Sequence, residues 1–129
     1  MSLFKRKFTG SEEIKTDSKV GWKQLTDLEE LNTIVKESNE KLVVIFKHST
    51  RCGISRMVLK QFENEFNSDD KITLYFLDLL EYRAISNAIA SQFDVPHQSP
   101  QMIVIKDGIA IYNASHENID AHDLKNFTF

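Results

Sequence analysis

The sequence predicts an α/β protein in which a central mixed sheet carries helices on both faces. Three observations lead there. Short β-branched runs alternate with segments of helical period in the order βαβαβα. One run, Leu42-Val43-Val44-Ile45-Phe46, is continuously apolar, as a strand covered on both faces must be. Near the C-terminus the alternation gives way to two apolar runs separated only by Lys106-Asp107-Gly108, and Asp-Gly favours a tight turn between antiparallel strands.

Taken in order, residues 1–19 are polar and charged, with Leu3, Phe4, Phe8 and Ile14 as the only anchors, and read as a partly ordered arm ahead of one domain over 20–129. Gly21-Trp22-Lys23-Gln24-Leu25 is a short strand, and Thr26 or Asp27 caps a helix with Leu28, Leu31, Ile34 and Val35 on its apolar side. Leu42–Phe46 is a central strand. After the polar loop His48-Ser49-Thr50-Arg51, helical spacing of Ile54, Met57, Val58, Phe62 and Phe66 opens a helix near Cys52 that runs to about Asn67. A third strand, Ile72–Asp78, precedes a helix marked by Ile85, Ala88, Ile89 and Phe93. Met102–Ile105 and Ile109–Tyr112 form the hairpin. Asp120 caps a closing helix with Leu124 and Phe127 on its apolar side.

The 129 residues, 41% of them apolar, suffice for one domain with a buried core. A net charge of -3 with both signs scattered leaves no basic stripe, which argues against nucleic acid as a partner. The basic start, Lys5-Arg6-Lys7, is followed by polar residues rather than an apolar run, so neither a signal peptide nor a membrane span is expected. A single cysteine excludes an internal disulfide and fits a reducing, cytoplasmic setting.

That cysteine, Cys52, falls where a strand turns into a helix. Unsatisfied N–H groups and the positive end of the helix dipole favour thiolate there, and the thiolate is the species that attacks a disulfide. Arg51 and His48 stand close by in sequence as cationic or hydrogen-bonding partners. The alternative, an inert buried cysteine, requires apolar neighbours, and His-Ser-Thr-Arg-Cys-Gly supplies none. Cys52-Gly53-Ile54-Ser55 has the spacing of a redox C-x-x-C with serine in second place. Serine does not resolve a mixed disulfide, so a resolving thiol has to come from another molecule. The Ser55 hydroxyl is either a hydrogen-bond donor to the thiolate or an ordinary polar residue of an early helical turn.

Both prolines lie in Val95-Pro96-His97-Gln98-Ser99-Pro100-Gln101, just before the fourth strand. A cis Ser99–Pro100 bond would turn this segment toward Cys52 and free Ser99 to pair with an extended substrate; the alternative is a trans proline opening a strand. His48, His97, His116 and His122 are dispersed without metal-ligand spacing, and no metal is expected. Arg83 and Asn87, four apart, read as a solvated helix face.

With Cys52 and Pro100 in these places the arrangement resembles the thioredoxin superfamily over nearly all of Gly21–Phe129. More closely, Phe46-Lys47-His48-Ser49-Thr50-Arg51-Cys52-Gly53-Ile54-Ser55, Ser99-Pro100-Gln101 and Ala114-Ser115-His116 resemble the YtxJ family of monothiol bacilliredoxins, the bacillithiol-system redox-active proteins. The resemblance implies a thioredoxin-like fold: βαβαβ, a helix, a β-hairpin and a terminal helix. It implies that Cys52 takes bacillithiol, or a similar low-molecular-weight thiol, from S-thiolated cytoplasmic proteins, and that a second thiol then releases it. That thiol is the co-substrate, and a monomer is expected. Members of the family usually read Thr-Cys-Pro-Ile-Ser at the cysteine; Arg51 here adds positive charge and Gly53 a more flexible first turn.

Two other readings belong to different classes. Cys-Gly-Ile-Ser is similar to the Cys-Gly-Phe-Ser of monothiol glutaredoxins that share an iron-sulfur cluster between two chains, which would make the protein a carrier. A thioredoxin-like binding module with a redox-regulated cysteine is the third.

Overall fold

Alternation of side chains along one strand organises the molecule. The structure, a computed structural model, describes residues 20–67 and 69–127; the arm expected over 1–19 lies outside them. Strand β1 is Lys23–Gln24, helix α1 Glu30–Glu37, β2 Leu42–His48, α2 Gly53–Glu65, β3 Ile72–Asp78, α3 Arg83–Gln92, β4 Gln101–Lys106 and β5 Ile109–Ser115. Every residue of β2 is buried. Its even positions Leu42, Val44 and Phe46 join Phe62 of α2 and Phe66 just beyond it in one core, while Val43 and Ile45 join Leu31 and Ile34 of α1 and Ile85 and Ile89 of α3 in another. Continuous apolarity in Leu42–Phe46 thus reflects two cores, one on each face.

The sheet order is β1-β3-β2-β4-β5. β1 and β2 run parallel to β3, β4 adds antiparallel to β2, and β5 adds antiparallel to β4. The hairpin turns on Asp107 and Gly108, both at positive φ (53° and 77°), the conformation that Asp-Gly accommodates. Ser38 at the end of α1 holds this turn: its carbonyl accepts from Asp107 N–H and its hydroxyl from Gly108 N–H, each at 2.8 Å.

Several boundaries differ from expectation. The first strand shrinks to two residues because Gly21 and Trp22 lie outside the ladder, although the Leu25 N–H still bonds the Phe76 carbonyl at 2.9 Å. Trp22 instead packs edge-on against Phe46 and Phe76 and donates its indole N–H to Glu63 at 2.7 Å. At α1, Asp27 accepts from the Glu29 N–H while Glu30 reaches back to the N–H groups of Thr26 and Asp27. These bonds fasten the turn ahead of α1, whose N-cap is Glu29 without a side-chain cap bond, so neither Thr26 nor Asp27 is the cap itself. Leu28 precedes the helix and is exposed.

Ile54 and Met57, expected on the inner face of α2, are 61% and 72% exposed. The inner row runs Ser55, Val58, Leu59, Phe62 and Phe66, so a buried serine takes the first place in it and Met57 points to the opposite side. The closing helix is a 3-10 segment, Ala121–Asn126, preceded by a shorter one at His116–Asn118. Asp120 does cap it, accepting from the His122 N–H at 2.9 Å, and Leu124 is buried. No helix among the described residues is long and apolar enough to cross a membrane.

Candidate active site at the start of the second helix

β2 pairs with β4 through Lys47 opposite Gln101. The chain leaving β2 toward Cys52 and the chain arriving at β4 through Ser99 and Pro100 therefore share one end of the sheet. There Cys52 is the N-cap of α2, with φ −104° and ψ 122°, and is partly exposed. Its side chain makes no capping hydrogen bond and the first turn of α2 holds no acidic residue. Its N–H donates to the Ser49 carbonyl at 3.2 Å, closing the loop beneath it. As the N-cap, Cys52 stands at the end of α2 whose first amides lack intrahelical partners.

Ser55 supports that loop. Its fully buried hydroxyl accepts from the Ser49 N–H at 3.2 Å and lies 2.8 Å from His48 Nδ1. Burial, ahead of the opposing attraction of Asp78, pushes His48 below its ordinary range. The hydroxyl and the ring nitrogen form one hydrogen bond, whose direction follows the ring tautomer. His48 and Ser55, expected beside the thiol, are thus joined to each other under the loop. Arg51 is exposed, and a neighbouring arginine, Arg56, ties the loop by donating to the Thr50 carbonyl at 3.2 Å. A side chain at Gly53 would meet nothing nearer than Arg56 Nη2 at 3.9 Å.

The Ser99–Pro100 peptide bond is cis. Pro100 is buried and its carbonyl accepts from the His116 N–H at 3.0 Å, which brings the exposed His116 to the same end of the sheet. The Ser99 hydroxyl oxygen is buried and has no hydrogen-bond partner among the described residues. Gln101, fully buried, braces the segment: its amide donates to the Pro96 carbonyl at 3.1 Å and its oxygen accepts from the Gln98 N–H at 3.3 Å.

Sequence reasoning missed a second group at this end. Lys47 is fully buried, with Nζ 2.8 Å from His97 Nδ1, and the Ser86 hydroxyl lies 3.3 Å from the same nitrogen. Burial, then the charge of Arg83, lowers the Lys47 ammonium to about 8. Burial, then Lys47 and Arg83, also lowers His97. A lysine closing an apolar run reads as the solvated end of a strand, and only the pairing with β4 reveals what covers it.

Other features lie away from Cys52. Glu65, Asp120 and His122 each offer a ligand atom, all within 4.8 Å of one another, at the far end of α2 and about 20 Å of helix from the thiol. A cavity of about 390 Å³ adjoins them, lined in part by Phe66, Ile72, Leu124 and Phe127. The chain separation of Glu65 from His122 hid this grouping from spacing rules.

Comparison with known proteins agrees with this layout. The model of the family described as monothiol bacilliredoxin BrxC matches residues 23–124. A solved structure described as a candidate oxidoreductase with a thioredoxin fold is 28% identical, covering 80% of this chain and 89% of its own, with a TM-score of 0.69. Malassezia sympodialis thioredoxin is 19% identical over 89% and 94% of the two chains, with a TM-score of 0.63. Mitochondrial thioredoxin 3 of Saccharomyces cerevisiae is 20% identical over 81% and 91%, with a TM-score of 0.59. The last two likenesses concern the fold.

Proposed function

Since this chain belongs to the monothiol bacilliredoxin family, we propose that it removes bacillithiol, or a similar low-molecular-weight thiol, from S-thiolated proteins through a mixed disulfide on Cys52. The family and the thioredoxin fold make it a thiol redox protein. The finer reading rests chiefly on one observation: the only cysteine of the chain caps a helix beside a cis-proline segment, and the position of a second thiol is held by a buried serine.

In this reading the Cys52 thiolate attacks the small-thiol sulfur of a protein mixed disulfide. The S–S bond between the small thiol and the substrate cysteine breaks, the substrate cysteine leaves as thiolate and takes a proton from water, and the small thiol remains on Cys52. A second small-thiol thiolate then attacks that sulfur, giving the symmetrical small-molecule disulfide and restoring Cys52. Ser99–Pro100 offers its backbone to the substrate chain. Ile54 and Met57, exposed on the helix that Cys52 caps, supply an apolar rim for a protein substrate in the cytoplasm.

Incubation with a bacillithiolated protein, followed by intact-mass measurement, tests this. The expected result is one bacillithiol adduct on Cys52 and release of the substrate thiol, both lost in Cys52→Ser. Release by Cys52→Ser at the wild-type rate would end the reading. Anaerobic purification yielding stoichiometric iron and visible absorption would favour the cluster carrier instead.

A further inference from the structure

The group around Lys47 plays no part in the exchange steps, yet it stands beside them. Side chains alternate along β2, so His48 faces α2 and supports the Cys52 loop while Lys47 faces α3. Lys47 follows Phe46 into the buried sheet, and an ammonium there is costly unless something compensates it. Nζ carries three protons, and among the described residues the only acceptor within hydrogen-bond distance is His97 Nδ1. No carboxylate forms an ion pair with Lys47, His97 or Arg83 among the described residues. The nearest charge that matters to Lys47 is a second cation, Arg83, at the start of α3.

His97 determines which way this charge is presented. With Nδ1 accepting from Lys47, the neutral ring carries its proton on Nε2. His97 and Arg83 are both exposed, whereas Lys47 lies wholly beneath. The result is a surface donor pair with a buried positive charge behind it. His97 lies two residues before Ser99, and Lys47 pairs across the ladder with Gln101. The chain from Lys47 to Cys52 spans five residues, about 18 Å at full extension, and the Cys52-to-Ser49 bond folds it back well short of that.

We propose that His97 and Arg83, backed by Lys47, form an anion-receiving subsite that binds a carboxylate of the small thiol carried on Cys52. This rests on the exchange reading above and specifies its ligand: a thiol bearing carboxylates, as the malate moiety of bacillithiol does, in preference to a neutral one. His97 and Arg83 touch the carboxylate, and Lys47 acts through His97 as a positioning residue.

The test is single-turnover transfer to Cys52 of the full chain from one carrier protein thiolated in turn with bacillithiol, 3-mercaptopropionate or 2-mercaptoethanol. Wild type is expected to accept the two carboxylate-bearing thiols about tenfold faster than 2-mercaptoethanol, the scale of a charge-assisted hydrogen bond. Arg83→Gln, His97→Phe and Lys47→Met are each expected to reduce that ratio at least about threefold. A purely structural role would slow all three thiols alike and leave the ratio in place, which would overturn the subsite. Arg83 and His97 are exposed, so their variants carry the test even if Lys47→Met does not fold. Transfer of all three thiols without preference overturns the subsite alone; transfer of none overturns the exchange reading together with it.

Discussion

His48 Nδ1 and the Ser55 hydroxyl, 2.8 Å apart, join the last residue of a central strand to the first inward-facing residue of the helix that Cys52 caps. The Ser49 N–H completes the link by donating to the same hydroxyl. The loop carrying the thiol is thereby fastened from below by side chains that do not touch the sulfur.

Ser55→Ala leaves the Ser49 N–H and His48 Nδ1 without their partner in a buried place. A loss of about 1–3 kcal/mol in urea-denaturation stability is expected, together with slower transfer to Cys52. Equal stability of variant and wild type would mean that water replaces the hydroxyl fully.

Burial holds His48 below its ordinary 6.5. Between the folded value and 6.5 the unfolded chain binds the proton and the folded one does not, so this contribution is intact above 6.5 and is lost as pH falls below it. An NMR titration should find the His48 ring neutral at pH 6.5, and His48→Gln should show a weaker acid dependence of stability.

Lys47 has the opposite consequence at alkaline pH. Its folded value is about 8 against 10.5 unfolded, so the folded chain sheds a proton first and this residue's contribution rises with pH across that window, by up to about 3 kcal/mol. Lys47→Met removes the rise and is expected to be more stable than wild type at pH 7 by about 1–3 kcal/mol, since it replaces a buried unpaired cation with an apolar chain. Denaturation series at pH 7 and pH 10 on both proteins measure the difference.

Ser99→Ala removes a buried hydroxyl that has no partner among the described residues. Stability is expected to be unchanged or up by about 1 kcal/mol, because no hydrogen bond is lost. A fall of comparable size would reveal an ordered water at Oγ.

Gly53→Pro probes the first turn. Gly53 opens α2, a position whose N–H has no intrahelical partner, and a Cβ there comes within 3.9 Å of the flexible end of Arg56. The expected gain is about 0.4–1 kcal/mol, through a stiffer unfolded chain. A loss in thermal unfolding would show that the Gly53 N–H is needed.

Much of this molecule was legible because its signals are local. A continuous apolar run, an Asp-Gly turn and a cysteine at a strand-to-helix junction each declare themselves within a few residues, and the comparisons bear out the family and the fold. Phase was less legible: helical spacing placed Ile54 and Met57 inside, but the inner row is set by the register of Phe62 and Phe66 against β2 and begins at Ser55. The short polar Ala121–Asn126 stretch carries too little periodicity to separate a 3-10 segment from an α-helix. Lys47, His97 and Gln101 were unreadable as a group because strand pairing and the cis-proline turn, rather than nearness in sequence, bring them together.

The serine at position 55 is more than a missing sulfur. It occupies a niche with no solvent exposure and holds two hydrogen-bond partners there, the Ser49 N–H and His48 Nδ1. A thiol in its place would be a weak donor and a weaker acceptor, so an internal resolving cysteine would come only by unlatching the loop on which the nucleophile stands. On the exchange reading proposed above, dependence on a borrowed thiol would follow from the foundation under Cys52, and a change to dithiol chemistry would have to rebuild that foundation first.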